Sequence, residues 1–203
     1  MQKENSNCSH FRTEHLPVST SIPTDLYIVV NSSDSMGGKL LADNKSAIIS
    51  ICNVLQPSDT ISITAFDNEV HEVVHRQTKK VIDDVGGIGA STGLSMLNSS
   101  ISNGATLYDA IVDRVDADVA TQKNDDCLRR HAKIIVLTDG KTDNKSTLTF
   151  ENACSRLQMN GVFHFILIIT GEVDEKTNRR MEQLCNPPHC TLVSVTNCQW
   201  KLH

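Results

Sequence analysis

Short runs that are apolar at consecutive positions constrain this chain more than any other feature. Six strand candidates stand out: "DLYIVV" (25–30), "TISITAF" (60–66), "EVHEVVH" (69–75), "AKIIVLT" (132–138), "VFHFILIIT" (162–170) and "CTLVSV" (190–195). Four of them are apolar on both faces, so both faces must be covered, as in parallel sheets sandwiched between helices. "EVHEVVH" is more polar and reads as an edge strand. Asp67 and Asn68 before it tolerate the positive φ of a tight turn, which predicts a hairpin and an antiparallel edge.

Helical periodicity fills the gaps. Leu41, Ile48, Ile51, Cys52 and Leu55 share a face of 38–56, and Leu107, Ile111, Val112, Val115 and Val119 share one in 107–121. Phe150, Cys154 and Leu157 mark a helix over 147–160, closed by Gly161, and 174–185 reads as another, ended by "NPP". Residues 78–104 are the least regular, with a single short helix expected near 92–100. The order β-α-β-β-α-β-α-β-α-β predicts an α/β fold: a doubly wound, mostly parallel six-stranded sheet with one antiparallel edge strand and helices on both faces. The expected division is a polar N-terminal extension (1–23), one domain (24–196) and a C-terminal tail (197–203).

A length of 203 residues suits one such domain with a core of its own. A formal net charge of -5 gives no basic face for a phosphate backbone, so nucleic acid is not the expected partner. The opening "MQKENSNCSHFRTEHLPVST" is polar throughout, and no run reaches the length of a membrane span. Seven cysteines are an odd number, and several fall inside apolar patterns; reduced thiols and a cytoplasmic location are the expectation. "CNPPHC" (185–190) lacks a paired Cys-x-x-Cys knuckle, "CSHFRTEH" (8–15) lies in a polar terminus, and His164 reads as a satisfied core residue.

A sheet of this kind binds ligands at the carboxyl ends of its strands, where strand order reverses. "NSSDSMGG" (31–38) follows the first strand, "DGKTDNKS" (139–146) follows "AKIIVLT", and "NGAT" (103–106) precedes the helix at 107. Taken singly, each has a plain structural explanation. Ser33, Ser35 and Thr106 are residue types that cap helices, Asp109 suits a first helical turn, and Asp139-Gly140 is a common strand ending. "GGK" lacks the spacing of a phosphate-binding loop.

Jointly, "DLYIVVNSSDSMGGK", "DTISITAFDNEV", "NGATLYDAI" and "AKIIVLTDGKTDN", with "GVFHFILIITG", occur in the order and at about the spacing of a von Willebrand factor type A domain, and the resemblance covers residues 24–196. That family carries a metal-ion-dependent adhesion site built from an Asp-x-Ser-x-Ser loop, a threonine from a second loop and an aspartate from a third. The resemblance places Ser33 and Ser35 at the serine positions, Thr106 at the threonine and Asp139 at the distal aspartate. Asn31 stands where the family pattern has its first aspartate. Asp34 occupies a variable position of the loop.

Such donors suit Mg²⁺ or Mn²⁺, which take about six oxygens and part reluctantly with water. Neutral hydroxyls leave the ion partly uncompensated, so a carboxylate from another molecule completes its shell. Asn31 keeps an oxygen but removes one negative charge. Against a divalent ion roughly 5 Å away at an effective dielectric near 20, that forfeits about 6 to 7 kcal/mol of gross attraction, most of it cancelled by hydration. The expectation is a weak or degenerate metal site formed by Asn31, Ser33, Ser35, Thr106 and Asp139. The resemblance implies a non-enzymatic module that binds an Asp or Glu of a protein partner, in the manner of intracellular relatives in ubiquitin-pathway or trafficking assemblies. The alternatives are a metal-free scaffold that binds through its loops, and a metal-assisted hydrolase using Asp139. The hydrolase lacks a paired acid or nearby histidine in these motifs.

Overall fold

The computed structural model describes residues 22–66, 70–88, 94, 117, 130–139, 163–171, 173–184, 190–196 and 199–202. The sheet is built from β1 (Thr24–Asn31), β2 (Thr60–Phe66), β3 (Val70–Thr78), β4 (His131–Thr138), β5 (Phe163–Thr170), β6 (Cys190–Thr196) and β7 (Gln199–Leu202), in the order β3-β2-β1-β4-β5-β6-β7. Pairing is parallel from β2 through β6, and β3 runs antiparallel to β2 as the hairpin reading requires. The expected turn at Asp67 and Asn68 and the expected helix at 147–160 lie outside the described residues, as does the expected helix at 107–121 apart from the helical residue Ala117. Chain order reverses between β1 and β4, which makes their carboxyl ends the crevice of the fold.

The six expected strands are joined by a seventh. Gln199–Leu202 pairs antiparallel with β6, Val193 opposite Leu202 and Val195 opposite Trp200. Gln199–Leu202 therefore belongs to the sheet. Four residues are too few to show a period, and β6 offers an edge whose amides need partners.

Helix α1 (Lys39–Asn53) packs Leu41, Ile48 and Cys52 onto Leu26, Ile28 and Val30 of β1 and Ile61, Ile63 and Ala65 of β2. Helix α3 (Glu175–Leu184) connects β5 to β6 in the opposite direction across the sheet, and right-handed crossovers put two such helices on opposite faces. Helix α2 (Lys79–Asp84) falls inside the stretch read as irregular. Thr78 caps it by accepting a bond from the Val81 amide at 3.3 Å, and Ile82 anchors it in the core. Six residues give only one apolar contact of the helical period, which is why pattern alone misses it.

The amino ends of the strands are clamped by a buried ionic cluster. Asp25 on β1 is 1% exposed, accepts bonds from Thr60 and from Arg130 Nε at 2.6 Å, and pairs with Arg76 at 3.5 Å. Arg130 also donates to the carbonyl of Ser58 at 2.8 Å, while Asp59 accepts from the amides of Thr24 and Gln56. One carboxylate thus joins β1, β2, β3 and the residue before β4. Removing either partner would strand a buried charge.

Two features of the inward face of α1 carry consequences. Asn44 is wholly buried on the helix face that carries Leu41, Ile48 and Cys52, and neither its Oδ1 nor its Nδ2 has a hydrogen-bond partner among the described residues. Asn44→Leu therefore raises unfolding free energy by about 1–3 kcal/mol, read from urea midpoints at unchanged m-value. One helical turn further from Ile48, burial pushes the Cys52 thiol from 9.0 up to about 12, against the pull of the Lys79 ammonium. The unfolded thiol gives up its proton first, so this residue's contribution to stability is intact below about pH 9 and declines as pH rises toward 12, by up to about 1.4 kcal/mol per unit. Cys52→Ala removes that part of the alkaline slope, which paired urea titrations at pH 8 and 10 measure.

Candidate binding site at the carboxyl edge of the sheet

Register places the first site residue. Residues 27, 29 and 31 of β1 alternate onto the face opposite α1, and pairing with β4 runs from Thr24 with His131 to Val30 with Leu137. One step on, Asn31 meets the end of β4 beside Thr138 and Asp139. Asn31 is 3% exposed, Thr138 0% and Asp139 5%.

The Asn31 amide is oriented by its neighbours. The backbone N–H of Ser33 can only donate, and it does so to Asn31 Oδ1 at 2.9 Å, an Asx turn that bends the chain off the strand. Nδ2 is thereby left facing β4, where it donates to Asp139 Oδ1 and Thr138 Oγ1, each at 3.4 Å. Both bonds are long, and the one to the carboxylate is charge-assisted. Ser32 turns the other way, donating from both its amide (2.8 Å) and its hydroxyl (3.1 Å) to the Phe66 carbonyl at the end of β2.

The serine loop then makes a single 3₁₀ turn, Asp34–Met36, with Met36 fully buried as its anchor. Ser33 and Ser35 hydroxyls hydrogen-bond each other at 3.1 Å, and Asp34 is exposed. Gly38 follows with φ 68° and ψ -122°, outside the regions open to side-chain-bearing residues, and it starts α1. Leu40, in the first turn of α1, lies against Gly171 at the end of β5, where an added Cβ would meet it at 3.3 Å.

Four of the five expected site residues are thus described: Asn31, Ser33, Ser35 and Asp139 stand at the ends of two adjacent strands. Thr106 lies outside the described residues. Pattern reading missed Thr138 and Ser32. Thr138 had a signal, because the residue before Asp139 must lie beside Asn31 once β1 and β4 pair. Ser32 had none separable from its serine neighbours.

The family model for the von Willebrand factor type A domain matches residues 25–203. The chain belongs to that family. Among solved structures this von Willebrand factor A domain is similar to a von Willebrand factor type A protein from Catenulispora acidiphila (16% identity, TM-score 0.58, covering 87% of this chain and 39% of that one). It is similar also to the manganese-loaded TRAP protein of Plasmodium vivax (20%, 0.58, 85% and 68%) and to the SpRpn10 VWA domain (14%, 0.58, 86% and 89%). At these identities the likeness is one of fold. No curated protein sequence matches the chain.

Members of the family often bind Mg²⁺ or Mn²⁺ at this edge, and the residues here fit such an ion poorly. The described donors are one buried carboxylate, Asp139, and the hydroxyls of Ser33 and Ser35. The Asn31 oxygen is engaged by the Ser33 amide, and the atom that Asn31 turns toward Asp139 is an N–H donor, which cannot ligate a cation. Gly38→Ala should strain the turn that carries both serines. With open space around its Cβ the penalty is conformational alone, about 1–3 kcal/mol of stability, measurable by urea unfolding.

Proposed function

We propose that this domain is a non-catalytic protein-interaction module whose binding face is the carboxyl edge of β1 and β4. The observation that carries the reading is the convergence of Asn31, Ser33, Ser35 and Asp139 at the point where strand order reverses. Ser33 and Ser35 bring hydroxyls to the outside of that edge, while Asp139 and Asn31 are buried behind them. Asp139 is the one buried carboxylate at this edge among the described residues, a poor start for hydrolysis, and a hydroxyl-lined edge on a rigid sheet is a good one for recognition.

Two forms of capture follow from the chemistry. In one, Mg²⁺ or Mn²⁺ held at millimolar concentration or weaker receives an Asp or Glu of the partner, as the family's site does. In the other, the partner hydrogen-bonds the serine hydroxyls and adjoining loops with no ion. The engagement of both ends of the Asn31 amide favours the second. A cytoplasmic setting within a ubiquitin-pathway or trafficking assembly completes the proposal, supported by the family resemblance. No helix among the described residues is long and apolar enough to cross a membrane.

Affinity capture with the parent and with a Ser33→Ala, Ser35→Ala double variant of matched stability tests the reading. Specific partners should fall about tenfold, equivalent to about 1.4 kcal/mol, in the double variant. Retention of the same proteins at the same level would place the binding face elsewhere. Captures in EDTA and in 5 mM Mg²⁺ separate the two forms, with equal recovery expected.

A further inference from the structure

We infer that the side-chain amide of Asn31 has taken over the structural part of the work a divalent ion does in a von Willebrand factor A site, so that this edge is organised without a cation. The inference deepens the binding-face reading, yet it concerns the resting domain and involves no partner.

The argument starts from what two carboxylates would do here. An aspartate at 31 would bring a second negative oxygen within about 3.4 Å of Asp139, in a place where both residues are at most 5% exposed. Like charges that close and that poorly hydrated cannot both stay ionised unless a cation lies between them. An amide removes the conflict. Its N–H end points at Asp139 Oδ1 and its carbonyl end accepts the Ser33 N–H, so one planar group bridges β4 to the start of the serine loop. The second hydrogen bond to Thr138 Oγ1 keeps Nδ2 on the β4 side.

The serines are consistent with this state. One hydroxyl donates to the other at 3.1 Å, a separation that two neighbouring ligands of a small cation would share, so the serines fit either state and the Asn31 amide decides between them. The same loop is fixed independently from the β2 side, where Ser32 holds Phe66 with two bonds. Three strand ends are therefore tied by side chains of consecutive residues, and an ion could take Asn31 as a ligand beside Asp139 only by breaking that bridge.

The reciprocal pair of substitutions at 31 and 139 gives the test. Thermal unfolding is followed in EDTA and across a Mg²⁺ and a Mn²⁺ titration to 10 mM for the parent, for Asn31→Asp and for the exchange variant Asn31→Asp with Asp139→Asn. The parent should shift by less than about 1 °C. Asn31→Asp should melt below the parent in EDTA and recover by about 3–6 °C once the ion exceeds its dissociation constant tenfold. The exchange variant has one amide facing one carboxylate again and should lose that ion response. Should Asn31→Asp not fold, the parent alone decides. Its Asn31 side-chain NH₂ should be protected from hydrogen exchange, equally in EDTA and in 10 mM Mg²⁺. Stabilisation of the parent by submillimolar ion, an Asn31→Asp variant that folds and ignores ions, or an unprotected Asn31 NH₂ would each overturn the inference. None of these readings depends on whether a partner binds.

Discussion

The parallel register of β1 between β2 and β4 is the constraint from which the rest follows. It aligns Val30 with Leu137 and Asn31 with Phe66, and so delivers Asn31, Thr138 and Asp139 to one point at the end of the sheet. A slip of one residue would turn Asn31 to the α1 face and bury a polar amide among Ile and Leu. At the opposite end of the same strands, Asp25 with Thr60, Arg76 and Arg130 makes that slip expensive, because a buried carboxylate would lose its partners. The ionic cluster and the candidate site are two ends of one registration device.

The fold was legible because strands with both faces apolar leave few architectures open. β1, β2, β4, β5 and β6 agree with the pattern to within a residue or so at each end. What pattern could not show has physical reasons. Helix α2 is too short for a period, β7 is shorter still, and Arg130 reaches Asp25 across 105 residues from a position that reads as loop. Asn44 fell in a helix whose apolar residues already accounted for its face, and nothing in the sequence marks a polar side chain as buried. At the candidate site, the spacing singled out Asn31, Ser33, Ser35, Thr106 and Asp139 as expected residues, while the direction of the Asn31 amide depends on the Ser33 N–H and on β4.

Membership of the family and the behaviour of this member's site are separate questions. The family's edge is defined by oxygens that face a cation. Here the residue at the end of β1 is an amide, Asn31, whose nitrogen is a donor aimed at Asp139. Fold is inherited with the strand pattern, whereas function has to be argued from the groups at the strand ends.

The pairing of β1 with β4 also sets an order of events during synthesis. Their partners lie 107 residues apart, so β1, β2 and β3 leave the ribosome well before β4 exists. At translation speeds of about 5–20 residues per second, β1 waits about 5–20 s with a bare, strongly apolar edge. Until β4 arrives, only water satisfies the hydrogen-bonding groups of that edge, and intermolecular strand pairing competes with correct closure. The Asn31 amide can therefore meet Asp139 only once β4 has been made, with β5, β6 and β7 still to follow in the chain.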